Sequence, residues 1–129
     1  MLSRTTVVRY AAASHDVARR SRIIGVFVHF TYTDGFDKAR VLKVAENAHP
    51  SFVGMPGLRY KFFTVDEERK RATNSYVWDS EDAARKFFSD ALTERVTGLY
   101  GARPAIEFVE IAAAVENAAS PSGAGRGSQ

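Results

Sequence analysis

Ten residues, Ile23 to Tyr32 (IIGVFVHFTY), constrain this chain more than any others: they are almost all β-branched or aromatic, and apolar at both parities. Successive side chains of a strand point to opposite faces of a sheet, so a strand of this kind must be covered on both. The rest of the chain has to supply that cover. Thr33, Asp34 and Gly35 end the run, and Val41, Val44, Ala45, Ala48 and Phe52 then recur at helical spacing, with Asp37, Lys38, Arg40, Lys43 and Glu46 elsewhere on the wheel. This predicts an amphipathic helix from near Asp34, ended near Ala48 by Pro50, with a further turn at Met55-Pro56-Gly57. Leu58 to Val65 and Ala72 to Trp78 alternate with period two on either side of the charged turn Asp66 to Lys70, which predicts a hairpin. Asp79 or Ser80 can cap a second helix whose apolar stripe, Ala83, Ala84, Phe87, Phe88, Ala91 and Leu92, closes near Gly98 or Gly101. Pro104 opens a last strand, Ala105 to Ala113.

The order β-α-β-β-α-β predicts an α+β, ferredoxin-like domain, a four-stranded antiparallel sheet with both helices on one face. Two helices cover one face only. The first strand is apolar on both, so the second face would leave a patch larger than a monomer usually exposes. A twofold homodimer in which two sheets pack face to face buries that patch in both copies at once.

Composition fits one domain: 129 residues, 45% hydrophobic and 26% charged. Without cysteine there is no disulfide scaffold, thiol nucleophile or thiolate zinc site, and His15, His29 and His49 are too scattered for a dedicated metal cage. No metal is therefore expected. No apolar run is long enough to span a bilayer. The formal charge of +3 hints at nucleic acid until it is divided along the chain. Residues 1–22 hold five arginines against Asp16, whereas residues 23–116 hold twelve basic and fourteen acidic side chains. A nucleic-acid-binding domain, including an RNA-recognition fold with this same element order, needs its positive charge on the folded surface. Neither nucleic acid nor membrane is an expected partner.

The organisation expected is a basic, flexible N-terminal arm (1–22), a folded domain (23–116) and a disordered tail (117–129) rich in Gly and Ser. The arm resembles an organellar transit peptide in its arginines, but the disordered arm is the simpler reading; Arg9 breaks its apolar stretch before a secretory core forms, and a cytoplasmic location is expected. P-loop, GxGxxG, HExxH and GxSxG motifs are all missing from the sequence. The acidic pair in the Asp66 to Lys70 turn reads as a solvated loop.

Three stretches carry a family resemblance: Val28-His29-Phe30-Thr31-Tyr32 followed by Phe36, the Met55-Pro56-Gly57-Leu58 approach to the second strand, and Tyr76-Val77-Trp78 leading into Ser80-Glu81-Asp82-Ala83-Ala84. In that order and spacing, over about residues 23–116, the sequence resembles the dimeric α+β barrel superfamily, in its branch of small YdhR-like monooxygenases related to antibiotic-biosynthesis monooxygenases. The resemblance implies a homodimer with a pocket between helices and sheet in each subunit. It also implies oxidation of a small electron-rich aromatic, quinol or polyketide-like, by O2 without metal, flavin or other cofactor. Such a protein must exclude water, stack the ring and hold a developing oxyanion with neutral donors. A non-catalytic homodimer that binds a small ligand, or serves structurally, is the alternative, since fold does not fix function.

Asn74, Tyr76 and Trp78 share one face of a strand, and the Asn-x-x-x-Trp spacing is similar to that of an oxygenase in the wider family, where the pair faces substrate. They line a catalytic wall, Asn74 and Trp78 acting and Tyr76 binding, or else the aromatics are core and Asn74 is an exposed strand residue. His29, which matches the family's strand-one histidine, is a general base or oxyanion donor, or a satisfied histidine of the core or dimer interface. His49 caps the first helix, or sits at the pocket mouth, or ligates haem as in related haem-degrading proteins. Tyr60, with Phe62, lines the pocket or fills the core, and Arg59 and Lys61 on the other parity are rim residues or edge charges.

Overall fold

The computed structural model describes residues 22–117. Apart from Arg22 and Asn117, the predicted N-terminal arm and C-terminal tail lie outside the described residues. The doubly apolar run forms β1, Ile24–Thr31. It lies inside a four-stranded sheet ordered β2-β3-β1-β4, with β2 Leu58–Asp66, β3 Arg71–Trp78 and β4 Ala105–Glu110, every pairing antiparallel. This is the ferredoxin-like α+β arrangement expected from the element order.

One parity of β1 supplies the core. Ile24, Val26, Val28 and Phe30 are buried together with Ala72, Tyr76 and Trp78 of β3 and Phe108 of β4. Over them lie α1, Lys38–Phe52, α2, Glu81–Phe87, and α3, Asp90–Tyr100, contributing buried Val41, Ala84 and Tyr100. The other parity of β1, Gly25, Phe27, His29 and Thr31, points to the opposite face together with Thr73, Ser75 and Val77 of β3 and Glu107 and Val109 of β4. That second face is mixed: Phe27, Tyr60 and Phe62 are large exposed apolar groups, interspersed with Thr, Ser, His and Glu. At one end the chain leaving β4 reaches across it, since the Tyr60 hydroxyl on the far edge strand donates to Glu116 at 2.9 Å.

Several element boundaries differ from expectation. β4 ends at Glu110 instead of the expected Ala113. α1 begins only at Lys38, where the Asp37 side chain accepts from the Arg40 amide, and it runs past Pro50 to Phe52. Proline removes one amide donor, but here the loss falls in the exposed last turn, where Ser51 Oγ donates to the Ala48 carbonyl and the Val53 amide to that of Pro50. The single helix expected after Ser80 is two. Ser80 caps α2, and Ser89 opens α3 by accepting from the Leu92 amide, so a second local N-cap interrupts the stripe. The break at Phe88 turns both phenylalanines inward, Phe87 against Trp78 and Phe88 against Tyr76, with centroids 5.1 and 4.9 Å apart respectively.

Candidate functional site

β3 places Asn74, Tyr76 and Trp78 on the helix-covered face, as their spacing requires. Above Asn74 and Tyr76, between the sheet, α1 and α3, lies a cavity of about 410 Å³, within the range typical of small-molecule sites. Its walls are mainly apolar or aromatic, from Val44 and Phe52 of α1, Phe63 of β2, Phe87 of α2 and Val96 of α3.

The polar groups in it come from four elements. Asn74 is 5% exposed and its Nδ2 donates to the Tyr100 hydroxyl at 3.0 Å. Accepting this bond leaves the Tyr100 O–H proton directed to another acceptor, such as a ligand oxygen. The phenol is fixed from three sides. Its ring stacks on Phe30 at 3.9 Å, its carbonyl accepts from the Tyr32 hydroxyl at 2.6 Å, and Arg40 of α1 donates to the Leu99 and Gly98 carbonyls at 3.1 Å. Gly101 then ends α3 at φ +75°, where a Cβ would strike the Arg40 guanidinium. Burial raises the Tyr100 pKa, against a smaller lowering by Asn74, and burial likewise raises that of Tyr76. Both phenols are held neutral, as O–H donors rather than phenolates.

Lys61 is the unexpected member. β2 bulges at Arg59, between Leu58 paired with Trp78 and Tyr60 paired with Val77, which reverses the parity that simple alternation from Leu58 assigns. Lys61 and Phe63 therefore face the helices, while Tyr60 and Phe62 face the open side. Lys61 Nζ sits 3.7 Å from the Tyr76 ring centroid, 4.1 Å from Phe63 and 4.5 Å from Phe52. Ring faces attract an ammonium, whereas burial disfavours it and pulls the pKa down to about 7. Arg95 of α3 lines the same cavity.

The predicted residues are thus partly brought together. Asn74 and Tyr76 share the cavity. Trp78, 2% exposed, packs beside Tyr76 and Phe87 and borders a neighbouring cleft at Met55-Pro56-Gly57; its indole N–H has no hydrogen-bond partner among the described residues. Gly57, at φ +83°, lies against it and against Ala83. His29 is on the other side of the sheet, its Nδ1 3.2 Å from Thr73 Oγ1 and its Nε2 3.4 Å from Glu107. Tyr60 is on that side too, 52% exposed and bonded to Glu116, which raises its pKa. His49 is exposed on the last turn of α1, beside a shallow groove that shares Phe52, Lys61 and Phe63 with the cavity. Alternation alone could not reveal Lys61, but Phe63 and Val65, both apolar and in its register, were a legible signal of the shift. Among the described residues no three potential metal-ligating side chains cluster, and no helix is long and apolar enough to cross a membrane.

Solved structures with the same fold include an antibiotic biosynthesis monooxygenase, so described provisionally, from Bordetella bronchiseptica (17% identity, TM-score 0.56, covering 71% of this chain and 99% of that one). A second is SnoaB, a cofactor-independent oxygenase from Streptomyces nogalater (14%, 0.55, 74% and 98%). A third is a monooxygenase from the gene ActVA-Orf6 of Streptomyces coelicolor, solved with the ligand nanaomycin D (22%, 0.54, 77% and 95%). No curated protein matches the chain. The model of the family described as "Putative mono-oxygenase ydhR" matches residues 26–113, from β1 through β4 with the cavity between. The chain belongs to the ydhR family.

Proposed function

We propose that the protein is a homodimeric oxygenase that uses O2, without a cofactor, to oxidise a small electron-rich aromatic, quinol or polyketide-like, in the cavity between helices and sheet. The observation that carries this reading is the Asn74–Tyr100 hydrogen bond inside an aromatic-walled cavity. With its oxygen accepting from Asn74, the Tyr100 phenol keeps a neutral O–H to offer a ring oxygen that gains charge in the cavity. Family membership and the similarity to a cofactor-independent oxygenase support it. The substrate supplies all the electrons: a ring or ring-activated C–H2 carbon plus O2 becomes a carbonyl plus water. One oxygen atom enters the product and the other leaves with both hydrogens. The protein's residues bind the ring, exclude water and stabilise the anion from which O2 takes its electrons.

Two copies packed through the open sheet faces would cover Phe27, Tyr60 and Phe62. The location of His29 on that face favours a second reading, a non-catalytic ligand-binding homodimer, because the described residues lining the cavity then include no imidazole base. Oxygen uptake with a panel of quinols separates the two. Turnover that falls about a hundredfold in Asn74→Ala, with the fold retained, supports the oxygenase; tight binding without oxygen consumption supports the second reading.

A further inference from the structure

We propose that Lys61 Nζ is the base of this cavity, taking the proton of a phenolic or enolic hydroxyl, so that the ligand class is acidic hydroxyarenes and not neutral aromatics or ethers. The inference rests on reading the cavity as the substrate pocket. Its footing is geometric. Lys61 is held by three ring faces, which offer an amine no lone pair, and no hydrogen bond or ion pair among those described engages Nζ. A ligand oxygen in the cavity can complete what the rings cannot.

The surrounding charge selects the same ligand. α3 presents Arg95 and the Tyr100 phenol, β3 presents Asn74 and Tyr76, α1 presents Asn47 and Ser51 with His49 outside, and β2 adds Arg59, already paired with Asp79. None of the described residues lining the cavity is a carboxylate. A site with the permanent cation Arg95, an amine that becomes ammonium on taking a proton, and no carboxylate among its described lining residues complements an anionic ligand. With Lys61 near neutrality, an amine is available to accept a proton at pH 7. The step is ArO–H plus neutral amine giving ArO⁻ and ammonium. The bond to hydrogen passes from oxygen to Nζ, no electrons are lost, and the resulting ion pair stays within the cavity. That anion is also the species electron-rich enough to react with O2.

The test uses the full chain with 4-nitrophenol, whose ionisation is visible by absorbance, and its methyl ether, 4-nitroanisole. Wild type is expected to bind the phenol as its yellow anion at a pH below that of its ionisation in free solution, and to bind the ether about tenfold or more weakly. Lys61→Met loses the bound-anion band and about tenfold to a hundredfold in affinity. Lys61→Arg, a permanent cation, keeps the band but cannot serve as base, so where quinol turnover is measured its kcat/KM loses the rise through neutral pH that wild type shows. Lys61→Gln serves as a second neutral variant and is expected to behave like Lys61→Met. An unchanged anion band in both neutral variants overturns the proposal. Quinol oxidation with an unaltered pH limb in Lys61→Met removes the base and leaves the oxygenase standing, whereas a Lys61-dependent band without any oxygen uptake removes the oxygenase and leaves the ligand class standing.

Discussion

At the scale of single residues, Lys61 is a conflict between chemistry and stability. The unfolded chain holds its ammonium proton up to about 10.5, while burial in the folded protein lowers the pKa to about 7. Between those values the unfolded state binds more protons, so stability rises with pH across that window and the cost is at full size below it. Lys61→Met is therefore expected to be more stable than wild type near pH 7, by on the order of 2 kcal/mol, with the difference fading toward pH 10. Denaturant unfolding at the two pH values and one protein concentration checks this, and a pH-independent difference contradicts it. A second residue behaves oppositely. Tyr100→Phe leaves Asn74 Nδ2 buried without its acceptor and is expected to destabilise by about 1–3 kcal/mol. The sequence alone placed Asn74 and Tyr76 on one wall, because parity in β3 is uninterrupted. It misplaced Lys61 and Tyr60 because one bulged residue reverses every side chain after it.

The elements show the same competition between pattern and local chemistry. The apolar stripe from Ala83 to Leu92 continues at helical spacing, yet the serine cap at position 89 splits it, and the split lets Phe87 and Phe88 both reach the aromatic cluster around Tyr76. Spacing rules count periodicity and overlook a cap inside it. β1 was legible for the opposite reason: ten consecutive residues with strand character leave no rival structure. Ser89→Ala removes the acceptor for the Leu92 amide and is expected to lower stability by about 1 kcal/mol. Because α3 also carries Arg95 and Tyr100 over the cavity, nitrophenol affinity should fall alongside it. Stability and affinity measured together decide the point: a stability loss with undiminished binding would show that the start of α3 does not position the cavity wall.

For the whole molecule, the question is what lies against the second face of the sheet. The helices cover Ile24, Val26, Val28 and Phe30, and the residues between them, Phe27 and His29, project the other way beside Tyr60 and Phe62. The sequence argument for a dimer used the apolar character of that face, and its polar share, Thr73, Ser75 and Glu107, was hidden because strand residues reveal their face only once register is fixed. Sheets that pack face to face tolerate such groups when they are paired, as His29 is with Thr73 and Glu107. The homodimer can be tested with two charges placed on opposite sides of the fold. Phe62, 56% exposed, lies outside the core cluster, so Phe62→Glu should fold normally while putting a carboxylate into the proposed contact, twice over by symmetry. Sedimentation at micromolar concentration should then report a monomer where wild type is a dimer. Leu42→Glu, at a 50% exposed position on α1, changes charge equally on the helical side and should leave the dimer intact. If both variants sediment as wild type does, the open face does not hold the second copy, and the association must be sought elsewhere on the molecule.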